Sequence, residues 1–235
     1  MMTAMPTYKT ILMLLFVVGA HVSVAQEDTR IIKFRSIAIK VWSDATTVSF
    51  VAEGDQVESI PLSEVSFSNE YQVRVGDTLN FYGSNVSTPT AAVGVPTNAL
   101  LATTTLSRDS DEFLLIFLPS ESEGRHSYRV HAIPSSEDDF SVGAVMFVNM
   151  SEYVMVAKMA GDVIKLPVGQ PSIVSYQGNN DRYSGIVQVA VFLENSWRMF
   201  YSSEWTLSKR SKTVVMIYKN PKSGFPLLRS VSYRI

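Results

Sequence analysis

There is no cysteine in this chain of 235 residues. That excludes disulfide staples, thiolate metal sites and cysteine nucleophiles together, and with them any blue-copper centre. Stability must then come from buried apolar area, which a chain of this length can supply. Histidine is scarce, with three in all, so imidazole-based chemistry has few places to reside. No strong charge of one sign is present either: 20 Lys+Arg stand against 22 Asp+Glu, a net charge of −2. Nothing here is a basic footprint for nucleic acid or anionic lipid. The basic cluster Lys209, Arg210 and Lys212 reads as a solvated turn. Apolar patterning with period 3.6 is nearly missing after residue 26, which argues against long amphipathic helices.

What is present begins at the N-terminus. Lys9 is followed by the apolar run Ile11 to Ala20 and then by Ser23-Val24-Ala25. This is the layout of a secretory signal peptide cut after Ala25, with small residues at −3 and −1. The run is shorter than the roughly 20 apolar residues a bilayer core requires, and no cysteine follows the cut to take a lipid. Removing 25 of 235 residues, Lys9 among them, leaves 210 residues with 19 basic and 22 acidic side chains. The expected location is periplasmic or extracellular, with no transmembrane segment in the mature chain.

The rest of the chain reads as β-strands. Tyr71 to Val75 alternates as a half-buried strand should. Around Ile31 to Trp42 neither phase is wholly apolar, the mark of a strand that bulges or changes partners. Phe113 to Leu118 and Val214 to Tyr218 are apolar in both phases and too short for helices, so each reads as a central strand covered on both faces. That also argues against an outer-membrane barrel, whose strands alternate. Turn signals separate these runs: Glu53-Gly54-Asp55, Gly76-Asp77, Gly161-Asp162, Gly169-Gln170-Pro171, Gly178-Asn179-Asn180 and Asn220-Pro221. The Ser/Thr/Pro/Ala-rich stretch Gly83 to Asn98 predicts a long loop with room for one edge strand.

One half echoes the other. Thr105-Leu106-Ser107-Arg108-Asp109-Ser110 matches Thr206-Leu207-Ser208-Lys209-Arg210-Ser211 and runs ungapped into Phe113 to Phe117 against Val214 to Tyr218, a constant offset of 101. Val75-Gly76 answers Val168-Gly169, and Gly54-Asp55 answers Gly161-Asp162. The expectation is an all-β protein of two tandem antiparallel, immunoglobulin-like β-sandwich domains of common origin. A signal peptide over 1–25 would be followed by domain 1 at 26–133, an exposed linker at 134–139 and domain 2 at 140–235.

The second half, from Val148-Asn149-Met150-Ser151 through Ala160-Gly161-Asp162-Val163-Ile164-Lys165-Leu166 and Gly169-Gln170 to Trp197-Arg198-Met199-Phe200-Tyr201-Ser202-Ser203-Glu204-Trp205, resembles a group of secreted bacterial proteins built from two small β-sandwich domains. The resemblance implies export and this fold, and it implies no site.

Catalytic patterns are lacking. No Gly-x-Ser-x-Gly elbow occurs, and His126 and His131, five apart on one strand, aim at opposite faces and cannot share an ion. The acidic stretches Asp109-Ser110-Asp111-Glu112 and Glu137-Asp138-Asp139 lack a calcium-loop ligand ladder and read as solvated loops. Glu204 beside Trp205 is a candidate glycosidase acid only if a second carboxylate faces it, and an exposed strand residue otherwise. No cofactor or metal is implied. On one continuous strand Trp197, Met199, Tyr201, Ser203 and Trp205 would share a face, either a core face or a ring platform for sugars. The reading is a non-enzymatic, exported binding or scaffold protein of the cell envelope. Its partner would be an unknown envelope protein or glycan, met through loops or a sheet face and not a nucleic acid. The alternative is a carbohydrate-binding module using Trp197, Tyr201 and Trp205.

Overall fold

The computed structural model describes residues 29–52, 56–83, 100–122, 125–175 and 181–234. The expected signal peptide, the Gly54-Asp55 and Gly178-Asn179-Asn180 turns and nearly all of the stretch from Gly83 to Asn98 lie outside them. Among the described residues there is no helix. The first half forms β1 (Arg30–Ala38), β2 (Thr47–Val51), β3 (Val57–Pro61), β4 (Tyr71–Val75), β5 (Thr78–Gly83), β6 (Leu100–Thr105), β7 (Glu112–Ser122) and β8 (Arg125–Pro134). The second forms β9 (Ala144–Asn149), β10 (Met155–Met159), β11 (Asp162–Leu166), β12 (Pro171–Ser175), β13 (Arg182–Leu193), β14 (Ser196–Ser208), β15 (Lys212–Lys219) and β16 (Pro226–Tyr233).

These strands make four four-stranded sheets, ordered β3-β2-β5-β6, β4-β1-β7-β8, β12-β9-β15-β16 and β11-β10-β13-β14. Adding eight to each strand number of the first half reproduces the strand orders of the second. The chain is therefore all-β, with two sandwich-like sheet pairs of one topology. Most pairings are antiparallel, but β1 runs parallel to β7, and β9 to β15. Each inner sheet is therefore mixed. β1 also changes partners along its length: Arg30 to Phe34 pair with β4 and Lys33 to Ala38 with β7, which accounts for its mixed phases.

Three cores separate the four sheets. Ile32, Phe34, Phe50, Phe81, Phe117 and Tyr128 lie in the first; Phe34, Phe50 and Phe81 meet edge to face at 5.3–6.5 Å, a favoured aromatic geometry. Val145, Phe147, Val187, Val189, Val215 and Ile217 lie in the third. The middle core joins the two sandwiches through Ile37, Ile116, Phe140, Met146, Met216 and neighbouring residues. This explains the two continuous apolar runs. Phe113, Leu115 and Phe117 point into the first core while Leu114, Ile116 and Leu118 point into the middle one. Val215 and Ile217 serve the third core while Val214 and Met216 serve the middle.

Two details differ from the sequence reading. The 101-residue offset joins corresponding turns, β6–β7 with β14–β15, yet it sets Phe113 of the first core against Val214 of the middle core. A slip of one residue exchanges faces, so the match holds for turns and not for side-chain direction. Val75-Gly76 stands between β4 and β5, whereas Val168-Gly169 stands between β11 and β12, so these two sites do not correspond. Just beyond the expected linker at 134–139, Phe140 is fully buried in the middle core, and its amide bonds the Ser136 carbonyl at 2.7 Å.

Candidate functional site

β13 and β14 form a long hairpin closed by Glu194 and Asn195, both with positive φ (48° and 60°), the pairing of a type I′ turn. Along it Phe192 faces Trp197 and Ala190 faces Met199, but Val189 faces Tyr201, leaving Phe200 as an extra residue. A bulge of this kind exchanges the faces beyond it. The expected single row of aromatic residues is therefore divided. Trp197 and Met199 point outward, away from the third core, at 51% and 59% exposure. Tyr201 and Trp205 pack half-buried against that core, with Trp205 Nε1 donating to the Tyr201 hydroxyl at 2.7 Å. Tyr201 and Trp205 therefore share no surface with Trp197. A matching bulge lies between Phe81 and Tyr82 on β5, where Leu101 of β6 is the extra residue.

The outer face of β10, β11, β13 and β14 carries an apolar patch. Val156 lies beside Ala190, which faces Met199, and the Phe192 amide bonds the Val154 carbonyl at 2.9 Å next to the Phe192–Trp197 pair. The two rings meet at 5.2 Å. A depression of about 390 Å³, walled by Val154, Val156, Pro167, Val168 and Trp197 with Lys165 among them, continues the patch toward β11. The described part of the corresponding face of the first sandwich is mixed, with Val51, Val57, Tyr82 and Leu100 beside a polar section. There the Ser49 and Ser59 hydroxyls meet at 3.0 Å, and the Thr103 hydroxyl donates to Asn80 at 2.8 Å. Large exposed apolar patches mark contact surfaces.

The remaining candidates are placed as follows. His126 and His131 lie on opposite faces of β8, toward the first core and the middle core respectively. His126 stacks on Trp42 at 4.0 Å and 5°, and its Nδ1 lies 2.8 Å from Asp44. That contact, chiefly its hydrogen bond, holds the Asp44 carboxyl below its usual range. Among the described residues no serine hydroxyl bonds the other His126 nitrogen. Each acidic stretch is divided among separate partners. Asp111 takes Arg30, Glu112 takes Lys33, Glu137 takes Lys212, and Asp139 accepts from the Ser136 hydroxyl. No group of three or more His, Asp or Glu among the described residues is set to hold a metal ion. Glu204 faces Ile186 across the hairpin.

A second concavity, not anticipated from the sequence, opens between the two sandwiches. Two adjoining cavities of about 440 and 400 Å³ share Arg129, Met150 and Lys219 as walls. No local motif could have revealed it, since its walls come from eight separated segments.

No helix among the described residues is long and apolar enough to cross a membrane. No family model matches the chain, and no curated protein matches it. Among solved structures, a leucine-rich repeat protein from Bacteroides thetaiotaomicron is similar at 12% identity and a TM-score of 0.18, over 80% of this chain and 25% of that one. The chain spans a quarter of that protein's length, and a likeness at this level carries no argument.

Proposed function

We propose that this is an exported, non-enzymatic binding protein of the cell envelope that meets a partner protein through the outer face of its second sandwich. The reading rests on one observation. The outer face of the second sandwich presents an apolar patch centred on Trp197, Met199 and Phe192, which are 51%, 59% and 41% exposed. Burial of such a patch drives association, and exposed Trp is the residue type most often found to dominate an interface. The leader-like N-terminus and the resemblance to secreted two-sandwich proteins support export. Of the three residues of the glycan-binding alternative, Trp197 alone lies on this face, with the Phe192 ring 5.2 Å away and Lys165 as a polar neighbour.

The test is capture from envelope extract by the purified protein, with the double variant Trp197→Ser/Met199→Ser as comparison and a glycan array run in parallel. The expected result is one or a few proteins held by the wild type and lost with the variant. Equal capture by both would overturn the reading, and array binding lost with Trp197→Ser would replace it with the glycan alternative.

A further inference from the structure

We infer that the cleft between the two sandwiches is a binding site for an amphipathic anion, a molecule with one acidic group on an apolar body, and that Arg129 holds the acid. Its charged residues are separate from the outer patch, although Val168 lines both the smaller cavity and the outer depression. Lys40, Arg129, Lys219 and Arg229 line the cleft against two carboxylates, Glu64 and Glu152. It is therefore locally cationic in a chain whose net charge is −2.

Three of the four cations are engaged. Lys219 Nζ lies 2.6 Å from Glu152, and Lys40 lies 4.8 Å above the Trp42 ring. Arg229 donates to the carbonyls of Ala38, Ile39 and Glu64 at 2.8–3.1 Å. Arg129 makes no hydrogen bond or ion pair among the described residues. It faces the middle-core side of β8 opposite Leu118. Two residues along the same face, His131 lines the smaller cavity with it. His131 Nε2 is buried and has no hydrogen-bond partner among the described residues. Burial, helped by the Arg129 charge, holds this imidazole below its usual range, so the ring is neutral near pH 7 and one nitrogen carries a proton to donate.

A guanidinium presents paired N–H groups that match carboxylate, phosphate or sulfate. An acid group seated on Arg129 would also give His131 Nε2 its missing acceptor. Leu118, Pro119, Met150, Tyr218 and Pro221 supply the apolar remainder of the larger cavity, in the usual proportion of a small-molecule site: mostly apolar, with a few convergent polar groups.

The probe is 8-anilinonaphthalene-1-sulfonate, followed by fluorescence on the intact protein, with octanoate and octanol as competitors. We expect saturable binding, displacement by octanoate but not by octanol, and at least tenfold weaker binding in Arg129→Gln. Arg129→Lys should fall between, and His131→Gln should weaken binding several-fold. Trp197→Ser should leave the affinity unchanged, so failure here and failure of the outer-face reading are separable. The inference is overturned by wild-type affinity in Arg129→Gln, by equal displacement with octanol, by loss of the signal in Trp197→Ser, or by the lack of a saturable phase.

Discussion

Lys212 Nζ lies 2.8 Å from Glu137 Oε2, tying β15 to the segment that joins the two sandwiches, and sits 5.4 Å above the Phe140 ring. The lysine side chain is 4% exposed and the carboxylate 60%, so solvent screens one end of the pair. The Lys212 hydrogen bond, with the Val142 amide second, holds the Glu137 carboxyl below its usual range. A depressed carboxyl stabilises the fold fully above its unfolded value, and that contribution disappears as pH falls through the folded one. Glu137→Gln should lower stability by about 1 kcal/mol near neutral pH, and thermal melts should converge with those of the wild type as pH drops below the ordinary carboxyl range. A constant difference across that range would show that the ion pair does not act.

Ile116 is fully buried in the middle core, while its neighbour Leu115 is fully buried in the first. Truncating either to alanine should cost about 2–5 kcal/mol. Because the middle core joins the sandwiches, both variants should still melt in one transition. Two resolved transitions in Ile116→Ala by calorimetry would show that the halves unfold separately.

Asn149 is fully buried at the corner between β9 and β10. Its Nδ2 donates to the carbonyls of Tyr153 and Leu166 at 2.9 Å, and its Oδ1 accepts from the Ser151 amide and hydroxyl. Asn149→Ala leaves several buried groups without partners, so urea unfolding should show a loss of about 3 kcal/mol. A loss below roughly 1 kcal/mol would mean that the corner relaxes to solvent.

Ala160 and Gly161 close the β10–β11 hairpin with φ of 55° and 94°. An L-residue other than Asn, Asp or Gly is disfavoured there. Ala160→Asn should therefore gain about 0.5–1 kcal/mol, read as a raised midpoint with an unchanged m-value. The Ala160 amide keeps its bond to the Tyr183 hydroxyl, so a drop in stability would contradict the turn assignment.

Gly185 faces Trp205 across the hairpin, and a Cβ there would fall on the Tyr183 hydroxyl and 2.5 Å from its Cζ. Gly185→Ala should displace that ring and its bond to Ala160, costing about 1–3 kcal/mol. The near-ultraviolet circular dichroism should change with it. An unaltered spectrum would mean that the ring moves freely aside.

The aromatic strand shows where sequence reading stops. Alternation from Trp197 to Trp205 is regular along the chain, so the letters imply one face. The extra residue Phe200 is defined only by its partner strand, through Val189 and Ala190. A bulge leaves no dependable mark on the strand that carries it. The cleft was equally hidden, because Arg129 and Lys219 are 90 positions apart and meet only through the stacking of inner sheets.

By itself the sequence determined the all-β class, the turns at Gly76, Gly161, Gly169 and Asn220, the lack of cysteine chemistry and the strands covered on both faces. All of these follow from local periodicity and composition, which each segment carries alone. The tertiary structure decided which cover lay over Phe113 to Leu118, which rings remained outside, and which cations gathered at the cleft. Side-chain direction depends on register with a partner strand, and sheet stacking depends on surfaces far apart in the chain, so neither is written in any one segment.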